Sequence, residues 1–543
     1  MQRRTIACLL TVLVAGCTKA GSPGEASGRR AWTQPGVLRV AVVQEPKSLN
    51  PLLATTTTDG FVDRLMFEPL ITADPRGNSL PMLAARVPTT ANGGISRDGL
   101  TIVYRLRDDA KWSDGVPVTS ADVKWSWEAI VNPNDNVISR HGYDIVRSIG
   151  TPDARTVVVR LKRRFAPFVN TFFAESDQPY GVAPSHVLSK YTNINQIPFN
   201  EAPNVSDGPF RFDFWQHGDH IVVTANPSFF EGRPGLQRVV VSIVPDENTA
   251  TNLLRTHAID YIYQPSINTY PELKDLKDVR LVWVNANAYE GLGFNLARPV
   301  VSDPRVRLAI AHAIDKSGFV RRLTFGRNTV ATEDIPDWMW AFDPNVHSYP
   351  YDVAEARNLL RQAGYAFSSD GIARKGGRPL QLLLATDTIT ATHRQESLLV
   401  QEALRRIGIA VEVKYYPEAL LYATASLGGI AQGGKFDMMF WPWYGGVDPD
   451  DSSQFTCANE PPGGYNVSRY CTPEMESAQH DALNTYDQAM RAVAYARIQR
   501  LLARDNPVVF IWWNRQQEAI STDFHGFDPN PVVESWNAWK WKI

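Results

Sequence analysis

"YRLRDDAKWSDGVPVTSADVKWSWEAI" (104–130) is the stretch on which the fold turns. It begins inside an alternating pattern, "TIVYRLR" (101–107), that suits a half-buried strand, and it ends in a run with helical spacing. Between them Asp114-Gly115 supplies a tight turn, since glycine adopts positive φ without a steric penalty. Thr119 with Asp122 three residues later forms a capping-box pattern, in which each side chain satisfies a backbone N–H left open at a helix start. The stretch therefore reads as strand, turn and capped helix. Trp112, Asp114, Gly115 and Thr119 are expected to serve folding rather than binding.

The same reasoning extends along the chain. Strands are expected at "VLRVAVV" (37–43), "RTVVVRL" (155–161), "SDGPFRFDFW" (206–215), "HIVVTAN" and "RVVVSIV" (238–244), with a short helix at "PSHVL" (184–188). The second half alternates helix and strand. A single amphipathic helix is expected over 303–320, another at 352–364 stopped by Gly364, a strand at 380–386, a helix from His393 to Ile407, and strands at 410–416 and 436–443. A long helix over 486–503 leads to a strand "PVVFIWW" (507–513) that returns to the first unit. Strand-helix-strand order implies right-handed crossovers and a partly parallel sheet, hence a two-lobed α/β protein. Where the chain crosses between lobes is not visible in this pattern.

A formal charge of −2 over 543 residues, without a basic stripe, argues against a nucleic-acid partner. After the N-terminus no run of eighteen apolar residues suggests a membrane span. That N-terminus carries Arg3 and Arg4, then an apolar run from Ile6 to Ala15, then Leu13-Val14-Ala15-Gly16-Cys17, which resembles a bacterial lipobox. The expectation is a signal peptide over 1–16, lipidation of Cys17 and a polar flexible tether over 17–35; cleavage to a soluble secreted protein is the alternative. Only Cys457 and Cys471 remain for the folded body, and outside a reducing cytosol they are expected to form a disulfide, two free thiols being the other reading.

Catalytic patterns are few: no phosphate-binding glycine loop, no H-E-x-x-H and no G-x-S-x-G. His312 lies in an apolar helix and reads as a structural histidine. Asp108-Asp109 and Asp450-Asp451 read as solvated turns, and Ser453 with Asp481 could be imagined in a hydrolytic triad that distance along the chain neither supports nor excludes. No cofactor is called for, and no His or Cys cluster is apparent that would hold a metal directly. Aromatics give more. Trp338 and Trp340 alternate in "IPDWMWAFDP" (335–344), and Trp441 and Trp443 alternate in "FWPWYGG" (440–446). In extended backbone such spacing puts both rings on one face, where they either wall a ligand cleft or fill a core. Gly445 and Gly446 would let the backbone come close to a ligand stacked there.

In the order in which they occur, "SLNPL" (48–52), "FEPL" (67–70), the opening stretch, "SDGPFRF" (206–212), "GFNLARPVVSDPRVRLAIAHAIDK" (293–316), "YPYDVAEARNLLRQAGY" (349–365) and "FDMMFWPWYGGVDPDD" (436–451) resemble the family 5 extracellular solute-binding proteins of ABC transporters, the oligopeptide, dipeptide and nickel group. The resemblance runs from about residue 36 to 540. It implies an α/β, periplasmic-binding-protein-like two-lobed fold of the three-domain cluster C type, closing on solute without chemistry. Domain I would take 36–72, 207–290 and 507–543, domain II 73–206, and domain III 291–506. It also implies permease subunits and their ATPase as partners, and a lipid-anchored location facing the periplasm or cell exterior. Peptide-binding relatives carry an aspartate, "W..D", for the peptide's α-amino group; here Tyr444 stands at that position and Asp448 is the next acid. The expected ligand-binding residues are Trp338, Trp340, Trp441, Trp443, Tyr444 and Asp448. An elongated peptide comes first, an oligosaccharide stacked on the tryptophans second, and a hydrolase or a sensory protein of the same fold last.

Overall fold

Two antiparallel strands, Val279–Phe294 and Val508–Ser521, run beside each other for most of their length and carry the architecture. The computed structural model describes residues 30–388 and 390–543. At one end of this ladder, Val279 to Asn285 face Arg515 to Ser521, and the sheet continues through Tyr261–Ile262, Val37–Val42, Arg238–Ile243, His220–Ala225 and Phe210–Gln216. At the other end, Tyr289 to Gly293 face Val508 to Trp513, and the sheet continues through Met438–Phe440, Gln381–Asp387 and Ala410–Tyr416. The register shifts between Asn285 and Tyr289, where the ladder passes from one lobe to the other. Such an irregularity bends a strand pair and increases its twist.

The cores follow this division. The first gathers Leu38, Phe61, Tyr104, Phe172, Tyr261 and Trp541; the second Leu292, Ile310, Leu360, Leu384, Leu404 and Ile511; the third Tyr289, Met339, Phe436, Trp441, Tyr495 and Phe510. In Val508–Ser521, Val509 and Ile511 enter the second core while Val508 and Phe510 enter the third. A strand covered on both faces has no polar side, which is why "VVFIWW" is a continuous apolar run.

The opening stretch folds as its residues dictate. Thr101–Arg105 pairs with Thr156–Leu161, and Ser120–Val131 is helical. Asp122 accepts the Thr119 N–H at 2.8 Å, the Ser185 N–H at 2.9 Å and the Trp112 indole N–H at 3.4 Å, while Trp112 is only 1% exposed. Gly115 has φ +91°. One carboxylate thus ties the cap, the turn tryptophan and the following short helix Ser185–Leu188 together.

Several expectations are corrected. The helix expected over 303–320 is two, Pro304–Ala313 and Lys316–Leu323, because Asp315 accepts the Gly318 N–H at 2.8 Å and starts a new helix. The strand expected over 436–443 is interrupted at Trp441-Pro442, and resumes as Trp443–Tyr444. Pro473–Asn484 is a helix that the pattern did not suggest, preceding Gln488–Asp505. Lipidation of Cys17 and the signal peptide lie outside the described residues. The tether expected over 17–35 is already fixed to the first lobe at Arg30, whose guanidinium meets Asp278 at 2.8 Å, and Trp32 stacks on His257 at 3.8 Å. Cys457 and Cys471 form the disulfide, with Cα atoms 4.9 Å apart. No helix among the described residues is long and apolar enough to cross a membrane.

Candidate functional site

Facing surfaces of the two lobes meet along the segment that follows Trp443–Tyr444. The Val447 N–H donates to the Glu175 carbonyl at 2.9 Å, and the Ala166 N–H donates to the Leu483 carbonyl at 2.7 Å. The Tyr486 hydroxyl donates to the Gly99 carbonyl at 3.0 Å. His141 Nε2 stands 3.1 Å from Asp450 Oδ2. A Cβ on Gly446 would lie 2.6 Å from both the Glu175 carbonyl oxygen and Ser176 Cα, closer than real side chains come. The absence of a side chain at 446 is therefore what lets the lobes touch. Gly445 is equally tight, against the Asn287 side chain, whose amide donates to the Gly446 carbonyl at 2.6 Å.

His141, Asn170, Ser176 and Asp177 from the first lobe and Trp443, Gly446, Asp450 and Ser453 from the second line one hollow at this seam. Burial alone would pull the His141 imidazolium's pKa down, but Asp450, Asp177 and Asp144 outweigh it and push it up to about 9. Asp450 is raised by burial and lowered more by His141 and Ser452, so it stays below the usual carboxylate range.

The predicted residues separate here. Trp338 and Trp340 do not share an extended face: 337–341 is a turn, closed by the Met339 N–H on the Pro336 carbonyl at 3.0 Å. Trp338 lies against Gly77 of the first lobe, where a Cβ would stand 3.0 Å from its ring. Trp340 instead packs on Tyr495, with the Arg491 guanidinium 5.2 Å above its ring. Trp441 and Trp443 do stack, centroids 6.3 Å apart at 25°. Trp441 belongs to the third core, its indole N–H donating to Gln454 at 3.0 Å, whereas Trp443 is half-buried and touches Tyr465 edge-on. Tyr444 is 61% exposed. Asp448 is buried and held by Arg491, at 2.8 and 2.6 Å.

Asp450-Asp451 is not a solvated turn. Asp450 meets His141, and Asp451 is buried, accepts from Gln479 at 2.8 Å and faces Asp334, both carboxyls being pushed up by burial. Asp108-Asp109, by contrast, is exposed. Asp481 is exposed and no base faces Ser453 from it. His312 Nδ1–H donates to the Pro350 carbonyl, 2.8 Å away, which is a structural role. Sequence reasoning missed His141, Glu175, Ser176 and Asp177 because they sit in loops that only the fold brings to the seam. It also missed a histidine cluster: Glu290, His393 and Glu396 each present a ligand atom within 4.8 Å of the others. The i, i+3 spacing of His393 and Glu396 in a predicted helix was the available signal.

Two α/β lobes on a shared ladder, closing on a seam of polar and aromatic side chains, define a solute-binding receptor of the periplasmic-binding-protein type. The model describing "Bacterial extracellular solute-binding proteins, family 5 Middle" matches residues 80–464, and the chain belongs to that family, whose members bind solutes rather than transform them. Over 544 residues it is 24% identical to the oligopeptide-binding protein AppA of Bacillus subtilis, covering 99% of this chain and 97% of that one. It is 26% identical over 499 residues to the glutathione-binding protein GsiB of Pectobacterium atrosepticum, covering 90% of each. The structure of NikZ from Campylobacter jejuni in complex with Ni(L-His) superimposes with a TM-score of 0.79, covering 94% of this chain and 100% of that chain at 24% identity. That of B. subtilis AppA with a nonapeptide gives 0.77, covering 94% and 99% at 24% identity.

Proposed function

We propose that the protein is the receptor of an ABC importer, taking an elongated peptide between its lobes and presenting the closed form to membrane permease subunits coupled to their ATPase. The observation that carries the peptide reading is the Trp443–Tyr444 strand. It pairs on one edge with Ala288 and Tyr289, and among the described residues no strand covers its other edge. A peptide can add there as a further strand, held by main-chain hydrogen bonds that do not depend on its sequence. The nonapeptide bound by the B. subtilis relative supports the same class of solute.

Asp448 is neutralised by Arg491 and Tyr444 replaces the amine-binding aspartate, so recognition of a free α-amino group is weak and longer or capped peptides are favoured. The division taken is domain I (36–72, 207–290, 507–543), domain II (73–206) and domain III (291–506); one core joins residues of domains I and II, two lie in the second lobe, and the bend at Asn285–Tyr289 is the hinge. Closure would then shift the population toward the form the permease reads. Cys17 carries the lipid that keeps the receptor at the membrane on its outer side, as its lipobox-like setting suggests.

The test is mass spectrometry of solute co-purifying with the protein, followed by calorimetry with free and N-acetylated forms of the peptide found. Affinities within tenfold of each other are expected. A free amine worth more than tenfold overturns the loss of amine recognition, and binding of a glycan but no peptide overturns the solute class. Cys17→Ala should release the protein from the detergent phase; unchanged partitioning refutes the anchor.

A further inference from the structure

His393 and Glu396 stand one helical turn apart on Ala391–Arg406, so their side chains leave the helix on the same face. That face packs against Glu290, on Val279–Phe294. His393 Nε2 lies 3.2 Å from Glu290 Oε2 and 3.9 Å from Glu396 Oε2. Its other nitrogen, Nδ1, lies 2.5 Å from Asp387 Oδ2, and the Phe440 ring stacks on the imidazole with centroids 5.1 Å apart. Glu290, His393 and Glu396 are 6%, 3% and 0% exposed.

Glu396 is the residue that an ordinary ion-pair network does not explain. Neither of its carboxylate oxygens has a hydrogen-bond partner, although the group is wholly buried and aimed at the imidazole. A buried carboxylate without a donor is costly, and a cation placed between it, Glu290 and Nε2 removes that cost. We infer that Glu290, His393 and Glu396 form a divalent-metal site. Asp387 holds Nδ1–H as donor and leaves the Nε2 lone pair for the ion, the arrangement by which an outer carboxylate orients a ligating histidine. Two carboxylates balance a +2 ion. One imidazole nitrogen with carboxylate oxygens suits Zn²⁺ or Mn²⁺ better than Ca²⁺ or Mg²⁺, which prefer oxygen alone. Bonds of about 2.0–2.2 Å in a tetrahedron put ligand atoms about 3.3–3.6 Å apart, close to the separations found around Nε2. The site links the crossing strand to the helix that covers the second core. It does not depend on which solute the cleft takes.

The test uses the full mature chain, stripped with a chelator and titrated with ZnCl₂ against a chromophoric competitor, with zinc-edge X-ray absorption on the loaded wild type. One zinc per chain is expected, with one imidazole and carboxylate oxygens in its shell. Glu396→Gln should weaken zinc at least a hundredfold, Asp387→Asn, which loosens the imidazole, ten- to a hundredfold, and exposed His480→Gln not at all. A wild-type shell without imidazole, no stoichiometric zinc, or equal binding by Glu396→Gln overturns the inference. No zinc together with a Glu396→Gln variant more heat-stable than the wild type would mean that protons alone fill the cluster. The X-ray readout on unmutated protein decides the matter even if a variant fails to fold, and failure of peptide binding leaves it untouched.

Discussion

Asp448 and Arg491 form a two-point ion pair, Oδ2 with Nη1 at 2.8 Å and Oδ1 with Nη2 at 2.6 Å, with both side chains under a tenth exposed. Arg491 also donates to the Tyr495 hydroxyl at 3.1 Å and covers the Trp340 ring. The pair fixes the segment after Tyr444 to Gln488–Asp505, and with it the position of the seam.

Removing one member leaves the other charged and buried. Asp448→Ala should therefore cost about 3–5 kcal/mol in denaturant unfolding, while replacing both residues by apolar ones of similar size should recover most of it. A variant of unchanged stability but much weaker solute binding would instead make Asp448 a direct solute contact.

Closure should depend on pH through His141 and Asp450. In the closed form the His141 pKa is raised from 6.5 to about 9, so its contribution is complete below 6.5 and disappears as pH rises through 9. Asp450 is depressed below 3.8, so its contribution is present above that value and is lost at lower pH. Small-angle scattering of solute-loaded protein should show the compact form at pH 5–6 and a more open average near pH 10. His141→Gln should flatten that dependence; a pH response identical to the wild type would assign it elsewhere.

Gly446→Ala should block closure without harming either lobe, because the added carbon meets backbone of the opposite lobe and φ at 446 is not in the left-handed region. Solute affinity should fall tenfold or more, about 1.4 kcal/mol, with the melting temperature of the solute-free protein nearly unchanged. Gly60→Ala, in the helix Thr57–Met66 with nothing within 4 Å of its Cβ, is the control. Equal affinities for the two variants would mean that the lobes do not approach at 446.

Reducing the Cys457–Cys471 bond should lower stability by roughly 3 kcal/mol at most, the chain-entropy value for a loop of about fifteen residues. The loop carries Tyr465, whose ring meets Trp443 edge-on at 5.6 Å. Solute binding should weaken alongside, and a fluorescence shift from Trp443 should report the loosening. Unchanged unfolding midpoints with and without reductant would count against both effects.

Local elements were legible in the sequence because their causes are local. The Asp122 cap, the Gly115 turn and the alternation of Thr101–Arg105 each lie within a few residues. Val279–Phe294 was not legible. It leaves one core and enters another near Asn285 and Asn287, so no single burial period runs through it. The apolar half of Val508–Ser521 was read, but its polar middle, Asn514 to Gln516, sits half-buried at the crossing and looks like a loop. The same limit applies to the site. Stacking of Trp441 on Trp443 followed from their spacing, while Trp338 and Trp340 were misjudged because a turn replaced the assumed strand. Glu290 precedes His393 by 103 residues, and only the topology brings them together.

Val508–Ser521 is the last strand in chain order among the described residues, yet it occupies the middle of the sheet, between Val279–Phe294 and Tyr261–Ile262. A chain threaded through a translocation channel from its N-terminal side would present every other strand before this one. Each half of the sheet can pair within itself beforehand, but Tyr261–Ile262 and Val279–Phe294 have no strand between them until it arrives, so the two halves are joined late, in one step. Vectorial emergence and final assembly are thereby coupled by the position of a single strand, and a nascent chain halted before residue 508 should be cleaved faster than the whole chain at Tyr261–Ile262 and Val279–Phe294, the strands left without this partner.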